Sequence, residues 1–357
     1  YEDDNKIIRI PGIPTGIYDY RLTGIYPLRI IKKIKKWNLD VIHSHTEFGV
    51  GTFARIIAKQ FGIPLVHTYH TMYEDYVHYI TKGYFDEASK KIVEYLTKFY
   101  CDKTTTELIV PTKKTYDLFK QKYKFDRNVH IVPTGIEIER FYKENNNKKE
   151  IEKLRNDLGF DKDDFVILFV GRIAEEKNIN LLLDSQNIIN KKYKNCKILI
   201  VGDGPDLEKL KKQYSKNKSI VFAGKVPWEN IPKYYLLANV FATASTSETQ
   251  GLTVIEACAA SLPPICINDE SFTNVVIDDL NGKIFNTKKE YIKIIENLIL
   301  DKQTLKRLSN QARISSETYS SKYYASRVLD VYKKAIENSG RKKGLFGKIK
   351  EIKVHEE

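Results

Sequence analysis

The chain has 357 residues, 59 basic and 46 acidic, for a formal net charge of +13, with 42% apolar and 29% charged residues. This balance excludes a largely disordered chain and a small disulfide-stapled scaffold, and the length suits two domains of ordinary size. The positive surplus suits anionic partners (phosphates, nucleotides, nucleic acid or an anionic membrane surface) without choosing among them. Four cysteines, at 101, 196, 258 and 266, show no CxxC spacing. That fits a reducing compartment and argues against a structural zinc or iron–sulfur site. No run is long and apolar enough to predict a membrane span.

In chain order, Ile7–Ile10 reads as a strand leading straight into the Pro/Gly-rich stretch 11–16. The chain opens at Tyr1, and we expect an N-terminal truncation that removes the initial strand of the first domain. Leu28–Trp37 has helical spacing. Asp40–His43 then predicts a strand, Gly49–Phe61 a helix and Pro64–Thr68 a strand, the rhythm of a βαβ unit. Gly83–Phe99 predicts a helix, Leu108–Val110 a strand, Lys113–Lys122 a helix and Val129–Val132 a strand. The polar run 143–153 reads as a boundary.

A second α/β rhythm follows. Strands are expected at Phe165–Val170, Cys196–Val201, Ile220–Phe222, Val240–Ala242 and Pro264–Ile267. Helices are expected at Ile179–Lys191, Leu207–Gln213, Ile231–Leu237 and Leu252–Ala260, and helical patterns dominate 289–338. The fold class is thus α/β, with two doubly wound, Rossmann-like domains facing across a crevice. Ligands of such sheets bind beyond the C-terminal ends of the strands.

Five stretches carry chemistry. Gly171-Arg172, with Lys177 just before a helix, ends a strand. Gly admits a ligand to the backbone, Arg and Lys suit phosphate oxygens, and a helix start adds N–H groups; an ordinary basic loop is the alternative. Gly202-Asp203-Gly204-Pro205 ends another strand and reads equally as a tight turn. Glu248 and Glu256 flank Gly251 and Leu252 at a helix start, and a carboxylate accepts sugar hydroxyls well. Val254, Ile255, Ala257 and Cys258 around Glu256 argue against a plain surface charge. His70, in the run 66–73, follows a strand and is expected to face the crevice, with an imidazole suited to proton handling near neutrality. The sequence has no HExxH motif and no clustered Cys/His set, so zinc is not expected. In 28–37, an apolar face of Leu28, Ile30, Ile31, Ile34 and Trp37 adjoins Arg29, Lys32, Lys33, Lys35 and Lys36. An anionic membrane interface and a sheet-packing helix with a solvated basic face both fit. The tail from Arg341 to Lys353 carries six basic residues around Leu345-Phe346 and is interfacial or frayed.

Gly171-Arg172 with Lys177, Gly202-Asp203-Gly204-Pro205, and Glu248 with seven residues before Glu256 resemble, in order and spacing, the retaining glycosyltransferases of the GT-B fold, family 4-like. The 67–73 run, the run Thr246–Leu252 and the Lys-rich helix look most like bacterial 1,2-diacylglycerol 3-glucosyltransferases. The resemblance implies a donor, UDP-glucose, and an acceptor, diacylglycerol, with retention of configuration. It implies that Arg172, Lys177 and the backbone around Gly251 and Leu252 hold the diphosphate, near the loop glycines Gly171, Gly202 and Gly204. Glu256 would hold the ribose, Glu248 would contact the donor sugar near its 3- and 4-hydroxyls, and His70 would lie beside the transferred sugar. It implies no cofactor or metal, and neither a nucleic-acid nor a protein partner. Anionic membrane lipids would meet Arg29, Lys32, Lys33, Lys36 and Trp37, for an enzyme peripheral to the cytoplasmic face of the membrane. Residues 1–142 would form a truncated acceptor- and membrane-facing domain and 143–320 the nucleotide-sugar domain. The helix 321–338 would return to the first domain, and 339–357 would be a basic tail. The family's opening strand and Gly-containing loop have no match here, and Ala259–Pro264 replaces a commoner Gly-Leu-Pro-Val pattern. Other acceptors, such as glucosyl-diacylglycerol, phosphatidylinositol or a soluble sugar, and a non-catalytic sugar-nucleotide binder are the competing readings.

Overall fold

Short β-branched runs bounded by Gly, Pro and Asn form parallel strands, and the amphipathic segments between them form the crossover helices. In the computed structural model, residues 7–14, 21–24, 28–47, 49–70 and 86–339 are described. They divide into two compact units. The first takes residues up to Pro111, Thr115–Val132 and those from Ser326; the second takes Thr112–Lys114 and Pro133–Ala325.

In the first unit, β1 (Gly12–Pro14) pairs antiparallel with β2 (Arg21–Thr23). No strand forms at the expected Ile7–Ile10; the extended pairing begins after Pro11. Four parallel strands follow in spatial order β3 (Ile42–Ser44), β4 (Leu65–Thr68), β5 (Glu107–Val110) and β6 (Asn128–Ile131). Helix α1 (Leu28–Lys36) precedes them, and α2 (Val50–Phe61) links β3 to β4. The helix expected at 83–99 is seen over Asp86–Lys98 and widens into a π-turn at Phe99–Lys103; positions 83–85 lie outside the described residues. Lys113–Lys122 is half α-helix (Lys113–Asp117) and half π-turn (Leu118–Lys122).

The last helix, Ser321–Asn338, completes this unit from Ser326 onward. Arg327 donates to the Ile131 carbonyl (2.6 Å), Tyr332 lies 2.7 Å from His43, and Asn338 donates to the fully buried Glu107 (2.6 Å).

The second unit is built on six parallel strands. Their spatial order is β12 (Lys283–Phe285), β11 (Pro264–Ile267), β10 (Val240–Thr243), β7 (Phe165–Val170), β8 (Cys196–Val201), β9 (Ile220–Gly224). Alternation along β7 fills two cores: Val166 and Leu168 join the cluster on one face, Phe165, Ile167 and Phe169 that on the other. Strand β12 had no sequence forecast.

The units part between Val132 and Pro133, ten residues ahead of the expected boundary. Ile138 and Phe141 are buried with Phe160 and Phe241 in the second unit's core, which draws 133–142 into it. The polar run 143–153 is largely a helix start: Lys148–Asp157 is capped by Asn147, whose side chain accepts from the Lys149 N–H at 3.0 Å. The run is thus part of the second unit rather than a linker. All four cysteines are free and buried.

Candidate functional site

The second unit gathers the residues expected to hold the donor at the C-terminal ends of β7, β8 and β10. Beyond β7, Gly171 donates to the Val201 carbonyl (3.0 Å), and Ile173 donates to the Asp203 carbonyl (2.9 Å). The 171–173 and 202–206 loops are therefore laced together. Gly202 has φ 141°, and a Cβ there would meet the Gly171 carbonyl oxygen at 1.8 Å, so only glycine allows the two backbones this approach.

Lys177 ends a single 3-10 turn, Glu175–Lys177, ahead of the helix Ile179–Lys192. It is 9% exposed, and its ammonium lies 2.5 Å from Glu248 Oε1. Arg172 is half-buried, with a long ion pair to Glu176 at 4.0 Å. Lys177 and Glu248, 71 residues apart in sequence, are thus in direct contact, as an ion pair that the sequence did not forecast.

Gly251 caps the helix Leu252–Ala259 with φ 73°, a left-handed conformation in which a Cβ would strike the Phe272 ring at 2.6 Å. No acidic residue occupies the first turn of that helix, so its N-terminal N–H groups are available to an anion. One turn further, Glu256 is buried, 6% exposed, and accepts a 2.6 Å hydrogen bond from the Tyr235 hydroxyl. Burial pushes its carboxyl up to about 7, against the Tyr235 hydrogen bond and the Arg140 charge, which pull it down. Tyr235 and Arg140 were invisible to sequence reasoning. The apolar run around Glu256 was the signal that a buried partner had to exist.

In the first unit, His70 belongs to a histidine cluster at the ends of β3 and β4. His45 Nδ1 is 2.9 Å from His70 Nε2, and the His43 and His45 ring centroids are 4.1 Å apart. His43 reaches Thr68 as well as Tyr332, both at 2.7 Å. His67, fully buried, has Nδ1 2.9 Å from the Ser44 carbonyl and Nε2 3.0 Å from Glu47. Burial, then the charges of His45 and His67, lower His70 to about 4, with Glu47 pulling the other way. His70 is therefore neutral at neutral pH rather than poised to titrate there. The signal missed was the run His43-Ser44-His45 at the end of a strand. Thr71, Met72 and Tyr73 lie outside the described residues, as does the tail from Arg341 to Lys353.

The fold also collects what the sequence scatters: Glu47, His67 and Cys101 bring three possible metal donors within 4.8 Å, all buried. His67 already has a protein partner at each nitrogen; burial first, and then the nearby Arg55 charge, lower its pKa, and both oppose a second cation there.

Helix α1 has no buried residue. Ile30, Ile31 and Ile34 are half-buried, while Leu28 and Trp37 are 70% and 38% exposed. Its apolar face is thus divided, partly used for packing and partly open. Arg29, Lys32, Lys33 and Lys36 are exposed beside it. Among the described residues, no helix is long and apolar enough to cross a membrane.

Comparison with known proteins bears on the family and the fold. Residues 150–315 match the family described as Glycosyl transferases group 1, and residues 1–140 match Glycosyltransferase Family 4. The chain is 38% identical over 351 residues to the alpha-monoglucosyldiacylglycerol synthase of Acholeplasma laidlawii, covering 96% of this chain and 87% of that one. It is 33% identical to the protein of the same name from Streptococcus pneumoniae, covering 96% and 77%. In fold, it is similar to the crystal structure of Anabaena HepE in complex with UDP, with a TM-score of 0.71 at 17% identity, covering 86% of this chain and 81% of that one. The two parallel-sheet units and these matches over nearly the whole length point the same way: the chain belongs to the GT-B glycosyltransferases, family 4-like in its first part and group 1 in its second.

Proposed function

We propose that the chain transfers glucose from UDP-glucose to the 3-hydroxyl of 1,2-diacylglycerol and forms α-monoglucosyldiacylglycerol. The observation that carries this reading is the likeness, over 96% of the chain, to a synthase named for that product. In this reading Arg172, Lys177 and the N–H groups at Gly251 and Leu252 take the diphosphate. Glu256 accepts the ribose hydroxyls, Glu248 the 3- and 4-hydroxyls of the sugar, and His70, neutral and able to donate and accept, lies beside the transferred glucose.

The bond from the sugar anomeric carbon to the β-phosphate oxygen breaks as the bond to the glycerol 3-oxygen forms on the same face. The hydroxyl proton passes to a phosphate oxygen of the departing UDP, and configuration is retained. Charge developing on that leaving group is met by Arg172, Lys177 and the start of the Leu252–Ala259 helix, so the chemistry calls for no metal. The acceptor is a lipid whose hydroxyl lies at the bilayer interface. Arg29, Lys32, Lys33, Lys36 and Trp37 of the α1 segment would hold the enzyme peripherally on the anionic cytoplasmic face.

The test offers the full chain labelled UDP-glucose or GDP-mannose with diacylglycerol, glucosyl-diacylglycerol or a soluble sugar in anionic mixed micelles, with and without a chelator. The expected product is an α-linked monoglucosyl lipid, formed from UDP-glucose and diacylglycerol and indifferent to the chelator. Transfer to another acceptor, with diacylglycerol inert, overturns the assignment.

A further inference from the structure

The loop 244–251, which carries Glu248, has no regular secondary structure, yet three of its carbonyls accept from side chains elsewhere in the second unit. The Thr246 carbonyl accepts from Lys114 Nζ (3.4 Å), the Glu248 carbonyl from Ser271 Oγ (2.5 Å), and the Thr249 carbonyl from Thr112 Oγ1 (3.1 Å). Gln250, 5% exposed, accepts from the Thr134 N–H (2.8 Å) and donates to the Thr134 carbonyl (3.1 Å). Lys114 also reaches Asp269 (3.2 Å) and Ser271 Oγ (3.2 Å), and Asp269 accepts from the Ser271 N–H (2.9 Å).

Burial does not hold Glu248, whose side chain is 25% exposed. What fixes its Cα is this set of bonds. Thr112 and Lys114 belong to a three-residue segment, Thr112–Lys114, that follows β5 in sequence but is grouped with the second unit, where these two residues make the bonds just described. Partly exposed Lys–Asp pairs add little stability by themselves. The bonds of Lys114 have another consequence: its ammonium joins the loop carbonyl at Thr246 to the Asp269–Ser271 turn that holds the carbonyl of Glu248.

We propose that Lys114 and Ser271 are positioning residues that set the Glu248 carboxylate against the donor sugar. The proposal rests on the reading of Glu248 as a sugar contact. Misplacement of a reacting group by an ångström costs on the order of a hundredfold in rate. A positioning role therefore appears in turnover, and only while Glu248 is there to be positioned.

The experiment is a double-mutant cycle in the full enzyme, with transfer from UDP-glucose to diacylglycerol followed by initial rates and UDP binding followed by calorimetry. Lys114→Ala should lower kcat roughly ten- to a hundredfold and leave the UDP Kd within about threefold, because Arg172, Lys177 and Glu256 are untouched. Ser271→Ala, smaller in volume and neutral, should act in the same direction and covers the case in which Lys114→Ala does not fold. In a Glu248→Gln background, either change should cost less than about threefold. If both single variants keep wild-type kcat, or if their losses persist in full without Glu248, the positioning role is overturned. If Glu248→Gln alone leaves kcat unchanged, the underlying role of Glu248 falls instead, and the proposal falls with it.

Discussion

The contact between Lys177 and Glu248 makes the two carboxylates respond in opposite ways to the same substitution. The Lys177 ammonium is matched by the Glu248 carboxylate at 2.5 Å. A diphosphate that recruits Lys177 must share it with that carboxylate or displace it. Glu248→Gln removes the competing charge and keeps the shape. A charged hydrogen bond contributes about 1.5–3 kcal/mol, and the partial exposure of this pair trims that to about 1 kcal/mol, or roughly fivefold in affinity. UDP, which lacks the glucosyl group that would contact Glu248, should therefore bind about fivefold more tightly to Glu248→Gln. Turnover of UDP-glucose should fall in the same variant. If Glu256 holds the ribose as proposed, Glu256→Gln should do the reverse to UDP, because that carboxylate does not pair with Lys177. Calorimetric titration of UDP into the wild type and both variants separates the cases. If Glu248→Gln weakens UDP as Glu256→Gln does, Glu248 is part of the nucleotide clamp and the competition for Lys177 is refuted.

Arg172→Ala and Lys177→Ala should each weaken UDP binding roughly ten- to a hundredfold, the worth of one charged hydrogen bond, by the same titration. Burial holds Glu256 up to about 7, and in the proposed role the ribose hydroxyls need it as a carboxylate. UDP affinity should rise as pH climbs through about 7 and then level, and the rise should vanish in Glu256→Gln. Burial holds His43 near 3 and His70 near 4, below the unfolded value of 6.5. As pH falls below 6.5 the unfolded chain binds protons first, so stability present above that value should drain away between 6.5 and about 4. The loss is about 1.4 kcal/mol per pH unit for each imidazole, read by denaturant unfolding of the wild type against His43→Gln. Charge reversal of Lys32, Lys33 and Lys36 should weaken co-sedimentation with anionic vesicles, by about 1 kcal/mol for each charge removed, and most at low salt, while UDP titration stays unchanged.

The second unit was legible in sequence because its strands are apolar on both faces and its helices follow at regular spacing. Phe165–Val170, Cys196–Val201 and Pro264–Ile267 fall where the runs of Val, Ile, Leu and Phe place them. Strand β12, three residues long with a lysine at its start, has too little pattern to be seen. The edges of the first unit were harder. The strand near the start is displaced from Ile7–Ile10 to Gly12–Pro14, because pairing with Arg21–Thr23, rather than local propensity, decides it. At the site, Arg172, Lys177, Glu248 and Glu256 could be named from their spacing to glycines and helix starts. Their partners could not: Tyr235 reaches Glu256 from another helix, and Lys114 reaches Asp269 across 155 residues. Such contacts are products of tertiary folding, and no local periodicity encodes them.

The first unit is finished by the far end of the chain. Arg327, Tyr332 and Asn338 bond to the Ile131 carbonyl, His43 and Glu107, whereas the second unit is continuous from Pro133 to Ala325 apart from three residues. During synthesis on the ribosome, the second unit can therefore close almost entirely from one uninterrupted stretch. The first, though its strands emerge earlier, waits for the final helix. For that interval the buried Glu107 lacks its Asn338 partner and β6 lacks the Arg327 bond, and such incomplete units are the ones chaperones retain. A released chain ending at Ala325 should thus be cleaved readily within 86–132 while 133–325 is already resistant, and restoring the last helix should protect both.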